Sequence, residues 1–449
     1  MISKTEHVVS CKYCNTLSGA TFRNQPRFWR FWRFGNRNNR KAVEAKRDSD
    51  REMSTSKRMR GADAPVITKT KGLVMNSPGT MSLAQGIVHW APPEAALEKV
   101  KSQIMENPIV HGYGPDEGMP ELREKLREKL QRENGLEDYD VHVTCGAQQA
   151  FANLVLTILD PEDEAVLFVP YYFNHLMMIQ MAGGAESIRF GPYMPETYHP
   201  DLDWLETVLS SEKPPKMVVL VNPNNPTGVV MSKEELDRAA SLCAKANAWL
   251  VVDNTYEHFV YDGKSHECPK GEHVVHIFSF SKAFGMMGWR QGYIAFHKDA
   301  PGGLGTELLK VQDTVPICAN QLGQLLSLGA LEAGRGWVGQ KVKNLETNRS
   351  RIHKALECLG EQSIAPSDGA IYKWCKLPPG CEDDDRVVEW LVKKHKVCVI
   401  PGSSCGCPGH IRVAFANLGE KDCDVAASRL EKGLRELTEH GIQVLDDSM

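Results

Sequence analysis

The sequence predicts an α/β protein: a large domain on a mostly parallel central sheet, then a second, smaller α+β domain. Three observations carry this. From about residue 65, short apolar, β-branched runs alternate with helical stretches. That is the rhythm of strands buried on both faces by helices. After residue 297 long helical stretches take over, and beyond residue 370 a shorter unit of strands and helices closes the chain.

Taken in order, residues 121–134 (ELREKLREKLQREN) form a charged amphipathic helix, opened after Pro120 because proline suits the first helical turn. Residues 149–159 are a mostly apolar helix. Strands are predicted at 165–169, 217–221, 249–252, 274–280 and 292–296. A helix at 233–247 lies among them, with Ser232 as its N-cap. Long helices follow at 305–334, with a break around Pro316, and at 338–360. The last unit is a strand at 371–377, a helix at 386–396, strands at 397–400 and 411–415, and a helix at 422–441.

Bulk properties narrow the function classes. A chain of 449 residues is long enough for two domains with filled cores. No apolar run approaches the roughly 18 residues of a membrane span, so no membrane association is expected. The 13 cysteines follow no regular framework and read as reduced thiols of an intracellular protein. Cys11 and Cys14 form a lone CxxC without a second pair, so no metal site is expected. Charge is unevenly spread. Residues 1–62 hold 15 Lys/Arg against 5 Asp/Glu, a balance of +10, so the remainder carries −14 to give the whole-chain −4. An Arg-rich, acid-poor start with interleaved aromatics (RFWRFWRFGNRNNR) fits an organelle transit peptide or a nucleic-acid-binding arm. It also fits a dispensable leader ahead of Met53. In each case residues 1–64 are expected to be disordered.

The chemistry-bearing residues sit where predicted strands end. Lys282, in SFSKAFGMMGWRQGYIAF, has Phe278, Phe280 and Phe284 nearby. Apolar neighbours favour a desolvated amine, although a surface lysine would read the same. Such an amine can form a Schiff base with an aldehyde, and Arg290 downstream can hold a phosphate. Together they point to pyridoxal 5′-phosphate (PLP). Its ring nitrogen works as an electron sink only when protonated, which calls for a buried carboxylate. Asp253 ends the apolar run WLVVD, where open sheets place ligand contacts; a helix cap or turn residue is the alternative. Tyr256 and Asn225 can bond the cofactor's phenolic oxygen, while the Asn222–Gly228 stretch also suits a plain rigid turn. The run from Thr144 to Gln149 precedes a helix whose free N–H groups suit a phosphate. Ser279 and Ser281 complete that cup, and Tyr172 can stack on the ring.

The motifs SFSKxxGxxGWRxGY, NPNNPTG, DNTY and HIRVAF occur together and in order. With them, residues 70–441 resemble a fold-type I PLP-dependent aminotransferase of the aspartate aminotransferase superfamily. The resemblance implies that Lys282 is the Schiff-base lysine and catalytic acid–base, Asp253 the ring-nitrogen partner supported by His175, and Asn225 and Tyr256 the phenolic-oxygen partners. It implies ring stacking by Tyr172 and phosphate binding by Ala147, Gln148, Ser279 and Arg290. Arg412 is implied to clamp the substrate carboxylate, with Asn225 and Gly86 beside the substrate. Tyr113 is implied to reach the phosphate of a neighbouring subunit in a homodimer. The chain carries Ala147-Gln148-Gln149 where Ala-Asn-Gln is more typical, which leaves the backbone donors in place.

The implied domains are an N-terminal arm with part of the small domain at 65–110, a PLP-binding domain at 111–320, and connecting helices with the rest of the small domain at 321–449. The stretches MSLAQGIVHWAPP, PYYFNH and GAIYKW are similar to plant aromatic aminotransferases. That implies aromatic amino acids or methionine as donors and aromatic 2-oxo acids as acceptors. Trp90, Tyr113 and Met286 are candidates for the side-chain pocket. The alternatives are a kynurenine or glutamine transaminase, a cysteine-conjugate β-lyase and, in another class, a PLP-dependent transcription regulator. Against the last, residues 1–62 show no helix-turn-helix pattern, and no nucleic-acid partner is expected. The expected location is cytoplasmic, or plastid or mitochondrion if residues 1–52 are a transit peptide.

Overall fold

The computed structural model describes residues 54–448, so most of the predicted leader, with Cys11 and Cys14, lies outside the described residues. The centre is a seven-stranded sheet: β1 (Tyr139–Thr144), β2 (Ala165–Phe168), β3 (Ile188–Gly191), β4 (Met217–Val221), β5 (Trp249–Asp253), β6 (Val274–Ser279) and β7 (Gly292–His297). The spatial order is β1-β7-β6-β5-β4-β2-β3. Only β7 runs antiparallel to its neighbours; the other pairings are parallel.

The strands are continuously apolar because both faces are covered. Leu167, Val219, Val251 and Ile277 pack on Ala150, Phe151 and Leu154 of helix Ala147–Ile158. Val166, Val218, Leu250 and Val252 point the other way, onto Leu205, Leu236 and Ala239 of helices Leu202–Leu209 and Lys233–Lys245. That is the period of two expected of strands. Ser232 caps the second of these helices, accepting from Glu235 N at 3.2 Å while Glu235 accepts from Ser232 N at 2.8 Å.

A three-stranded antiparallel sheet follows, with β8 (Tyr372–Lys376), β9 (Ile400–Pro401) and β10 (His410–Ala414) in the order β9-β10-β8. The predicted strand 397–400 is divided. Val397–Cys398 pairs in parallel with Met81–Ser82, and only Ile400 goes on into the three-stranded sheet. The predicted helix 338–360 begins earlier, inside Gln321–Lys343, where Gly334 leaves helical geometry at φ 75°. A second helix, Glu346–Leu356, then starts. The expected break near Pro316 is present between Leu304–Thr314 and Gln321.

Several elements were not anticipated. Among them are β1, β3 and the helices Lys57–Gly61, Val66–Met75, Glu94–Glu106, Phe173–Gly183 and Leu202–Leu209, the first of which, capped by Ser56, falls within the stretch 1–64 expected to be disordered. Both missed strands are edge strands, and β1 (YDVHVT) places Asp140 and His142 in a short run, which dilutes its apolar signal. Among the described residues, no helix is long and apolar enough to cross a membrane.

Candidate functional site

Parallel strands deliver their following loops to one edge of the sheet. The loops after β1, β2, β4, β5 and β6 converge there on a cavity of about 300 Å³. Its lining includes Ala147, Gln148, Tyr172, His175, Asn225, Asp253, Tyr256, Ser279, Lys282 and Arg290. Ten of the thirteen site residues named from sequence therefore share one cavity.

Asp253 anchors one end. It is 5% exposed. Its Oδ2 lies 3.2 Å from His175 Nε2, and its Oδ1 accepts from Thr255 N at 2.9 Å and Thr255 Oγ1 at 2.6 Å. Burial alone would raise its pKa, but the His175 and Thr255 contacts outweigh burial and hold it below the ordinary carboxylate value. His175 packs its ring 4.1 Å from Phe151, and its buried Nδ1 has no partner. Tyr172 accepts from Asn174 Nδ2 at 2.8 Å, which fixes the position of its hydroxyl.

The opposite end is cationic. Gly146 turns into helix Ala147–Ile158 at φ 91° with no side-chain cap. The first helical N–H groups, those of Ala147 and Gln148, have no preceding carbonyl to bond. A Cβ at Gly146 would run into the Arg290 guanidinium, so only glycine lets the arginine lie there. Arg290 is itself at φ 53° and donates from Nη1 to Met287 O at 2.9 Å. That ties it to the loop carrying Lys282. Ser279 Oγ accepts from Ser281 N at 3.1 Å in the same loop.

Lys282 lies between the ends. Burial, then the charges of Arg290 and Arg412, push its pKa down to about 8 from 10.5, with Asp253 opposing. Arg412 is 1% exposed. It donates from Nη1 to Asn225 Oδ1 at 2.8 Å and from Nη2 to Ala84 O at 2.9 Å, leaving its buried Nε without a partner. Gly86 lies two residues beyond that carbonyl, where a Cβ would collide with the Tyr372 hydroxyl.

The three candidates for the side-chain pocket turn out differently. Tyr113 is 81% exposed and away from this cavity, its turn held by Gln321 Nε2 donating to Gly112 O at 2.7 Å. Trp90 and Met286 are core residues, not pocket residues. Trp90 is 8% exposed, stacks on Phe259 and donates to Ala283 O at 3.3 Å, while Met286 is fully buried. Sequence reasoning missed Thr255 and Tyr372. The pattern of a polar residue two places after Asp253 is an Asx-turn signal that would have found Thr255. Tyr372 in an apolar strand gives no such signal.

The donor set fits PLP on three counts. A carboxylate kept ionised stands where a pyridinium nitrogen needs one. A helix N-terminus and an arginine form a cradle that a Cβ would fill. An amine of lowered pKa lies between them.

Residues 78–430 match the family described as aminotransferase class I and II. The chain is 50% identical to the aromatic aminotransferase ISS1 of Arabidopsis thaliana over 388 residues, covering 86% of this chain and 98% of that protein. It is 32% identical to the aspartate/prephenate aminotransferase of Thermus thermophilus, covering 80% of this chain and 92% of that one. Among solved structures, the aspartate aminotransferase from Thermus thermophilus with maleate superposes with a TM-score of 0.77 at 29% identity, covering 85% of this chain and all of that one.

Proposed function

The chain belongs to the class I and II aminotransferase family, and we propose that within it the protein transfers the amino group of an aromatic amino acid, or of methionine, to an aromatic 2-oxo acid such as phenylpyruvate or indole-3-pyruvate. The enzyme is a PLP-dependent transaminase. The observation that carries the reading is Lys282, of lowered pKa, set between the Asp253–His175 pair and Arg290, with Arg412 buried beside them.

Bound PLP supplies an aldehyde and an electron-withdrawing ring that accepts the negative charge developing at the substrate Cα. Asp253 holds the ring nitrogen's positive charge, and His175 and Thr255 hold Asp253. Ala147, Gln148, Ser279 and Arg290 would hold the phosphate, and Tyr172 would stack on the ring. Arg412 orients the substrate carboxylate through its planar fork, with Gly86 and Asn225 alongside. Lys282, partly neutral near neutral pH, would take the proton from Cα, hold it on Nζ and deliver it to the cofactor's C4′. Asn225 and Tyr256 would donate hydrogen bonds to the cofactor's phenolic oxygen.

The aromatic preference is supported by the relative named an aromatic aminotransferase. A panel of phenylalanine, tyrosine, tryptophan, methionine, aspartate and kynurenine, each read as the 2-oxo acid formed, tests the reading. The aromatic donors and methionine are expected to exceed aspartate in kcat/KM by at least about tenfold, and Lys282→Ala is expected to be inactive with all of them. Preference for aspartate or kynurenine overturns the substrate assignment, and turnover by Lys282→Ala overturns the mechanism.

The working unit is proposed to be a homodimer in which Tyr113 reaches the partner's phosphate site. Support comes from the large side chains left exposed on one stretch of surface chain and the loop it is tied to: Ile109 at 73%, Tyr113 at 81% and Val315 at 64%. Cytoplasmic residence is proposed, with plastid or mitochondrion as the alternative if residues 1–52 are a transit peptide; fluorescence microscopy of the full chain carrying a C-terminal fluorescent tag distinguishes them.

A further inference from the structure

Three separate segments converge on Tyr372, which the proposed chemistry does not use. Tyr372 opens β8, whose register pairs Trp374 with Arg412 of β10 and Tyr372 with Ala414. Tyr372 and Arg412 are therefore diagonal neighbours on one face of the sheet. The tyrosine is 1% exposed. The Arg412 guanidinium lies 4.2 Å from the centroid of its ring, against 5.7 Å from that of Phe173. The Tyr372 hydroxyl lies 2.6 Å from the Tyr256 hydroxyl. The same hydroxyl occupies the place a Cβ at Gly86 would take, so the glycine makes room for it.

We propose that Tyr372 is a positioning residue for two groups of the site: its ring sets the plane of the Arg412 fork that takes the substrate carboxylate, and its hydroxyl donates to Tyr256, leaving the proton of Tyr256 free to point at the cofactor's phenolic oxygen. This rests on the roles given above to Arg412 and Tyr256. In the plane of the guanidinium, Asn225 and Ala84 each take one N–H. The aromatic face blocks tilting out of that plane and attracts the cation. Two phenols at 2.6 Å share one bridging proton. When Tyr372 provides it, Tyr256 keeps its own, and accepting a hydrogen bond strengthens it as a donor. Because the carboxylate is common to all amino acids, Tyr372 acts on every donor alike and not on the choice of side chain.

The test uses the full-length holoenzyme and the variants Tyr372→Phe, Tyr372→Leu and Arg412→Lys. Tyr372→Phe keeps the ring, so KM for phenylalanine should stay within about twofold. Without the donated hydrogen bond the phenolic oxygen is less well stabilised, so the midpoint of the pH titration of the bound cofactor's visible absorbance should rise by about half a unit. Tyr372→Leu removes the plate, and KM should rise about tenfold for phenylalanine and methionine equally. A midpoint that is unchanged or lowered in Tyr372→Phe overturns the hydroxyl role, and it does so even if Tyr372→Leu fails to fold. A parental KM in a folded Tyr372→Leu overturns the ring role. If Arg412→Lys also keeps the parental KM, the carboxylate assignment itself falls; if Arg412→Lys is impaired while the Tyr372 variants are not, only the present inference falls.

Discussion

A lysine amine lining a largely desolvated cavity, near two guanidinium groups, is driven toward its neutral form. For Lys282 that brings the pKa to about 8, and the neutral amine is the form that attacks an aldehyde. The rate at which the cofactor-free enzyme takes up PLP should therefore rise with pH through a midpoint near 8, measured by stopped-flow absorbance. A midpoint near the ordinary 10.5 would show that the burial and the two arginines do not act on this amine. Most residues of the site are legible in the sequence, because turn chemistry narrows the choices at strand ends. Asn224, for example, accepts from Thr227 N at 3.1 Å and Oγ1 at 2.9 Å, and that holds Asn225 in place. Tyr372 is not legible there as a site residue: an aromatic in a buried strand reads as core, and its partners Arg412, Tyr256 and Gly86 lie on separate segments far from it in sequence.

Among the elements, the helix Pro120–Asn134 does more than its amphipathic pattern suggests. Lys129 on its buried face pairs with Glu257, with side chains 5% and 9% exposed, and Asn134 Nδ2 donates to the same carboxylate at 3.0 Å. Glu257 directly follows Tyr256, so the pair fixes the end of the turn that carries the cofactor contacts. Burial would raise the carboxyl's pKa, but Lys129 foremost, with His258 and His266, draws it down to about 2 from 4.5. A carboxylate with a lowered folded-state pKa stabilises the fold fully above the ordinary value and loses that effect as pH falls from about 4.5 toward 2. Lys129→Met leaves the charge uncompensated and should cost about 3–5 kcal/mol in urea unfolding at pH 7. The double variant Lys129→Met/Glu257→Leu should recover most of the loss. A single variant as stable as the parent would show that the pair contributes nothing. The sequence marks this helix as charged and amphipathic, but periodicity does not show that a lysine on its buried face has a carboxylate waiting 128 positions on.

At the level of the whole molecule, the exposed Ile109, Tyr113 and Val315 define the surface on which a second copy is proposed to sit. Light scattering of the purified holoenzyme should give twice the chain mass of 50.1 kDa. Tyr113→Phe removes one hydrogen bond to a charged phosphate, so PLP should dissociate about tenfold more readily. A fully active monomer, or unchanged cofactor affinity in Tyr113→Phe, would remove the dimer from the account of the site.

The sequence by itself determined the class of fold and the strands buried on both faces, and its motifs pointed to the lysine, the carboxylate and the arginines proposed for the site. Those features depend on local pattern: a continuous apolar run, a turn that admits only a few residue types, a glycine ahead of a helix. Tertiary structure decided what touches what across the chain. It divided the 397–400 strand between two partners, moved Trp90 and Met286 from pocket to core, and set Tyr372 between Gly86, Tyr256 and Arg412. Each of these outcomes depends on strand register and on packing between distant segments, and neither quantity is written in the residues flanking any one position.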